Sequence, residues 1–168
     1  MKENKADKKD NESKKDKKSR ENQEVQKLVE ISNIRKGQIS VGELINMAKD
    51  VMENAYTPYS NFKVGAALLT KSGKVYTGVN IENSSYGLTN CAERTAMFKA
   101  ISDGEVEFET LVVVADTPEP VSPCGACRQV MAEFGDFEVV LANVKGDIIQ
   151  TSVSQLLPYS FDKDNLIR

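Results

Sequence analysis

Hydrophobic positions follow two regimes along this chain. Over residues 1–24 almost every position is Lys, Asp, Glu, Asn, Ser, Gln or Arg. So polar a stretch buries too little apolar surface to offset its ordering entropy, and is expected to be disordered. A fluctuating helix held by Lys/Glu pairs is the alternative. Val25, Leu28, Val29 and Ile31 carry the first apolar spacing, that of a short amphipathic helix broken at Gly37. A charged extension is therefore expected over residues 1–38 and a folded domain over residues 39–168.

From Ser40 the periodicity is regular. Ser40 and Glu43 have the S-x-x-E spacing of a capping box, and Leu44, Ile45, Met47, Ala48, Val51 and Met52 follow as a helical apolar face. Pro58 ends that segment. Residues 62–69 read as a strand, Ser72-Gly73 as a turn and residues 74–79 as the returning strand of a hairpin. A loop holding Asn80, Glu82 and Tyr86 follows. Residues 91–102 read as a helix with Asn90 as N-cap, and Ala92, Ala96, Met97 and Ala100 give it a narrow face suited to close packing. Residues 111–115 are a continuous apolar run, the mark of a strand covered on both faces. A Pro-rich loop, 118–123, leads to a second helix over residues 124–134. Strands over residues 137–142 and 147–151 then flank Lys145-Gly146. This order predicts an α/β domain, a mixed sheet with helices on both faces.

Bulk properties narrow the function classes. The 168 residues suit one domain, and 40% hydrophobic with 28% charged residues is ordinary for a globular protein. A net charge of −3, with no basic patch interleaved with aromatics in the folded part, gives no reason to expect nucleic-acid binding. No apolar run approaches the roughly 18 residues that span a bilayer. The N-terminus lacks the apolar segment of a signal peptide. An odd cysteine count argues against a closed disulfide framework, and thiolate ligands persist best in a reducing compartment, so the cytoplasm is expected.

The candidate chemistry sits in those cysteines. The chain has three, in Asn90-Cys91-Ala92-Glu93 and Pro123-Cys124-Gly125-Ala126-Cys127, and it has no His. A C-x-x-C alone can be a redox pair or half of a structural zinc site. A redox pair leaves Cys91 without a role, and structural zinc sites usually close with four protein ligands, which this chain lacks. Cys-x-Glu followed by Pro-Cys-x-x-Cys is the three-cysteine form of the zinc-deaminase signature, with a fourth position left to water and a non-ligand Glu as general acid/base. Both cysteine groups fall at predicted helix starts, where free N–H groups favour thiolate. Three thiolates around Zn²⁺ leave a formal charge of −1, which the helix ends offset in part.

The stretches Cys91-Ala92-Glu93-Arg94-Thr95-Ala96 and Ser122-Pro123-Cys124-Gly125-Ala126-Cys127-Arg128-Gln129 resemble cytidine deaminases of the small, homotetrameric bacterial type. Tyr56-Thr57-Pro58-Tyr59-Ser60, residues 62–68, Asn80-Ile81-Glu82-Asn83 and Leu156-Leu157-Pro158 extend the resemblance in collinear order. Residues 1–38 have no counterpart in it. The resemblance implies a three-layer α/β/α fold with a mixed five-stranded sheet. It also implies one Zn²⁺ per chain on Cys91, Cys124 and Cys127. Glu93 is then the proton carrier, serving N3 and the 4-amino group of the pyrimidine. Arg94, and Gln129 through a hydrogen bond to a ligand sulfur, would compensate the thiolate charge. Asn80 and Glu82 would hold the sugar hydroxyls, Phe62 would line the pyrimidine pocket, and the backbone at Ala92 and Ser122 would read the base edge. Phe161 would close over the base, and Tyr86 is placed at a subunit contact. The expected reaction is hydrolytic deamination of cytidine and 2′-deoxycytidine in pyrimidine salvage, by a cytoplasmic homotetramer without nucleic-acid or membrane partners. Competing readings are a deaminase of a blasticidin-S-type antibiotic, a polynucleotide deaminase and a non-catalytic zinc or thiol module. The Asn-Ile-Glu-Asn loop favours a ribose, and the chain lacks the H-x-E and basic track of polynucleotide deaminases.

Overall fold

A computed structural model describes residues 39–166. The expectations for the charged extension over residues 1–38, including the short helix near Val25, lie outside the described residues.

The capping-box segment becomes helix α1, Val41–Met52. Strands β1, Val64–Thr70, and β2, Val75–Val79, form the predicted hairpin, turned at Gly73 with φ of 89°. That positive φ is a conformation glycine adopts without steric cost. Helix α2, Ala92–Ser102, leads to strand β3, Phe108–Ala115, and helix α3, Gly125–Glu133. Strands β4, Glu138–Asn143, and β5, Ile148–Ser152, precede a single turn of helix, α4, Val153–Leu156. The α4 turn was not anticipated. It starts with a capping box in which Ser152 and Gln155 satisfy each other's backbone N–H groups.

The five strands form one mixed sheet in the order β2-β1-β3-β4-β5. The β3–β4 pair is parallel and the other three are antiparallel. The parallel pair requires a crossover, and α3 supplies it.

Strand alternation divides the core. Val64, Ala66 and Leu68 of β1 share a face with Leu111 and Val113 of β3 and with Val139 and Leu141 of β4. Ala92, Ala96, Met97 and Ala100 of α2, and Cys127 and Met131 of α3, pack there. Gly65 projects to the opposite face, where a Cβ would lie 2.0 Å from the Ala48 carbonyl oxygen of α1. Helices thus cover both faces, giving the expected three layers. All seven residues of β1 are buried, as befits a central strand.

The small-residue face of α2 has a partner equally small. A Cβ on Gly78 of β2 would come within 2.4 Å of both the Ala92 carbonyl oxygen and the Ala96 nitrogen. Helix α2 therefore rests backbone-on-backbone against the hairpin. That contact sets the height of the helix start from which Cys91 and Glu93 project.

Candidate active site

The first turns of α2 and α3 converge. Cys91 is the N-cap residue of α2 and Cys124 that of α3, each helix starting one residue later than its cysteine. Neither side chain makes a capping bond, so both sulfurs remain available as donors. The Asn90 side chain is not the cap; its Nδ2 donates to Thr95 Oγ1 at 3.0 Å. Cys127 lies in the first turn of α3 and is fully buried.

The sulfurs fit a single tetrahedral metal. Cys91 and Cys124 Sγ are 3.8 Å apart, Cys124 and Cys127 Sγ are 3.5 Å apart, and the three lie within 4.8 Å of one another. Ligands at a Zn–S distance of ~2.3 Å and tetrahedral angles would have sulfurs ~3.8 Å apart. A soft, all-thiol donor set favours zinc over the oxygen-seeking cations. Arg94 Nη2 approaches Cys91 Sγ at 3.6 Å and donates to the Thr89 carbonyl at 3.3 Å. Hydrogen bonding from Cys127, then from Arg94 and Cys124, brings the Cys91 thiol down to about 5 against partial burial. The same pairing, with burial and the Glu93 charge, pushes Cys127 up.

Glu93 projects from the first turn of α2 and is 5% exposed. Burial raises its carboxyl above the ordinary range, and the charge on Cys91 adds to the shift. A carboxyl so placed binds and returns a proton more readily near neutral pH than an exposed glutamate does.

A cavity of about 310 Å³ opens beside these groups. Cys91, Cys124 and Glu93 line it, together with Phe62, Asn80, Ala92 and Ser122 from the expected substrate set. Asn80 is buried and braces the entry to β1: Oδ1 accepts from the Val64 N–H at 2.9 Å and Nδ2 donates to the Phe62 carbonyl at 2.7 Å. One amide hydrogen and one lone pair remain for a ligand. Glu82 faces an adjoining hollow with Tyr59, Ser60 and Tyr86, and Thr89 lines both spaces. Tyr86 is exposed, its ring 5.9 Å from that of Tyr59.

Two expectations meet a different arrangement. Gln129 is exposed, and its Nε2 donates to the Phe161 carbonyl at 2.7 Å, where a bond to a ligand sulfur was expected. Phe161 is exposed and lies outside the cavity lining, held by its backbone, so the ring does not cover the site within one chain.

Arg128 was not anticipated as a site residue. Its Nε donates to the Pro123 carbonyl at 2.8 Å, Nη1 to the Leu156 carbonyl at 2.9 Å and Nη2 to Ser122 Oγ at 2.8 Å. One guanidinium thus fixes the loop that carries Ser122 and Cys124 to the end of α4. An Arg directly after a predicted ligand was the available signal. Val113 also lines the cavity, and only the strand register could have placed it there.

Residues 39–143 match the family model described as the cytidine and deoxycytidylate deaminase zinc-binding region. A cytidine deaminase of Sporosarcina psychrophila is 59% identical over 130 residues, 76% of this chain and 96% of that protein. A crystal structure of cytidine deaminase from Burkholderia pseudomallei superposes with a TM-score of 0.72 at 55% identity, covering 73% of this chain and all of that one. A blasticidin-S deaminase of Bacillus cereus is more distant, 30% identical over 130 residues, 73% of this chain and 92% of that protein. Cys91, Cys124, Cys127 and Glu93 all fall inside the matched region, and the chain belongs to the cytidine and deoxycytidylate deaminase family.

Proposed function

We propose that this protein catalyses the zinc-dependent hydrolytic deamination of cytidine and 2′-deoxycytidine, giving the uridine forms and ammonia. The observation that carries this reading is the single cavity shared by two of the three clustered thiols, a buried glutamate and a polar and aromatic lining sized for a pyrimidine. Cytidine deaminases near 55–59% identity support it over the antibiotic-deaminase reading, whose relative stands at 30%.

Cys91, Cys124 and Cys127 would hold the zinc, which when bound activates water as a nucleophile at neutral pH. Glu93 would take a proton from the attacking water and pass it to N3 of the base as the water oxygen bonds to C4. It would then carry the second proton, from the oxygen now on C4, to the 4-amino group, so that the C4–N bond breaks, ammonia leaves and the C4 carbonyl forms. Burial of Glu93 excludes bulk water from both transfers. Arg94 offsets thiolate charge through Cys91. The backbone at Ala92 and Ser122 faces the base edge, Phe62 packs on the ring, and Asn80 with Glu82 binds the sugar hydroxyls.

A homotetramer is part of the proposal, supported by the exposure of the large apolar side chains Tyr86, Leu88 and Phe161. Phe161 would then act across a subunit boundary. A cytoplasmic location follows from the thiol ligands, and among the described residues no helix is long and apolar enough to cross a membrane. The test is zinc content per chain measured alongside the ultraviolet absorbance loss of cytidine. One zinc per chain with turnover of cytidine is expected. Zinc without turnover would leave a metal module, and turnover of blasticidin S alone would favour the antibiotic reading.

A further inference from the structure

The Glu82 carboxylate is more heavily engaged than a residue that only binds ligand needs to be. Its Oε2 accepts the Tyr59 N–H at 2.9 Å and the Ser60 N–H at 3.2 Å. Its Oε1 accepts the Ser60 hydroxyl. An ionised carboxylate offers about four acceptor sites, two on each oxygen. Both sites on Oε2 are filled and one on Oε1 is filled, so a single acceptor site remains, on the oxygen bonded to Ser60.

The Ser60 hydroxyl is itself oriented. Its oxygen accepts the Phe62 N–H at 3.0 Å, which leaves its one hydrogen for Glu82. A relay thus runs from the backbone of Phe62, whose residue lines the cavity, through Ser60 to Glu82 in the adjoining hollow. The Ser60 hydrogen bond is also the largest influence holding the Glu82 carboxyl below its ordinary range.

We propose that Ser60 is a positioning residue for sugar recognition, fixing the Glu82 carboxylate so that one acceptor site on Oε1 meets the 2′- or 3′-hydroxyl of the bound nucleoside. This rests on the assignment of Glu82 to the sugar. An ionised, acceptor-only site selects a ligand group that donates a hydrogen bond, and disfavours an ether, a fluorine or an anionic substituent at the same position. Ser60 touches no reacting atom. It acts through Glu82, and its loss should be felt only by ligands that carry the hydroxyl.

The experiment compares cytidine with 2′,3′-dideoxycytidine as substrates of the zinc-loaded enzyme. Ser60→Ala is expected to lower kcat/KM for cytidine by about ten- to a hundredfold, mainly through KM, the scale of one misplaced charge-assisted hydrogen bond. The value for 2′,3′-dideoxycytidine should hold within about twofold, since that ligand makes no such bond. Ser60→Thr keeps the hydroxyl at an exposed position and should restore the cytidine value. The double variant Ser60→Ala/Glu82→Gln should be no worse than Glu82→Gln alone. Carbon-13 titration should show the Glu82 carboxyl rising in Ser60→Ala, a change independent of turnover.

Equal losses on both substrates would overturn the proposal, because Ser60 would then only hold the loop. An unchanged cytidine value would overturn it as well. The sugar assignment of Glu82 fails separately, if Glu82→Gln keeps the wild-type ratio between the two substrates.

Discussion

At Glu93 the backbone places a carboxylate two positions from a candidate metal ligand and withdraws it from solvent. Replacing it by Gln preserves size and removes the exchangeable charge. Glu93→Gln should retain zinc while kcat for cytidine falls by about 10²–10⁴, the range for lost general acid/base catalysis; near-normal turnover would reassign the proton carrier. Cys91→Ala leaves two thiols, too few for the site, and metal analysis of the purified variant should find it depleted of zinc. Stoichiometric zinc in Cys91→Ala would show that the metal sits elsewhere. The clustering of the three thiols beside Glu93 was legible in the sequence because the chemistry left few options: three cysteines, no histidine and an acid at fixed spacing. Gln129 was not. Its partner, the Phe161 carbonyl, lies 32 positions further along the chain, and local spacing says nothing about where that segment returns. Arg128 shares this difficulty, since its Leu156 contact spans 28 positions.

Among the elements, α2 and its hairpin show how sequence pattern becomes site geometry. The run of alanines on α2 signalled close packing, and the identity of the facing residue, Gly78, completes the account. Gly78→Ala would drive a methyl group into helix backbone. Since neither backbone can yield without moving the other, the variant should lose about 1–3 kcal/mol of stability, or more. It should also bind zinc more weakly, because the displaced element carries Cys91. Thermal melts with and without added zinc check both effects, and a wild-type melt would mean that helix and strand separate cheaply. Element ends were less legible than element types. The two site helices begin after their cysteines, because each cysteine takes the extended backbone of an N-cap. Strand β3 extends three residues before its apolar run, held there by pairing of Thr70 with Phe108 and by the Thr110 hydroxyl on Glu138 at 3.0 Å. Apolar counting cannot detect a strand residue whose support is a neighbour's hydrogen bond.

Taken whole, the described domain carries its own core, the three clustered thiols and Glu93, and the polar composition of residues 2–24 gives them little to add. Deleting that segment should leave kcat and melting temperature essentially unchanged in the same buffer; a large drop in either would make it part of the working assembly. The three-layer arrangement was readable from the order of elements, whereas the strand order β2-β1-β3-β4-β5 was not, because it depends on which edges meet after the chain has crossed over. That crossover has a kinetic meaning. Cys91 stands 33 positions before Cys124, at the helix start within a unit built from a local hairpin and its helix. The other two thiols belong to the β3–α3–β4 connection, whose parallel pairing joins strands separated by a whole helix. Non-local pairing is slow, since its loop-closure entropy is spent before the contacts form. A half-folded chain then offers one thiol or two, never three. Metal uptake becomes a clock for the meeting of these two units, and in refolding experiments it should lag behind the appearance of helix.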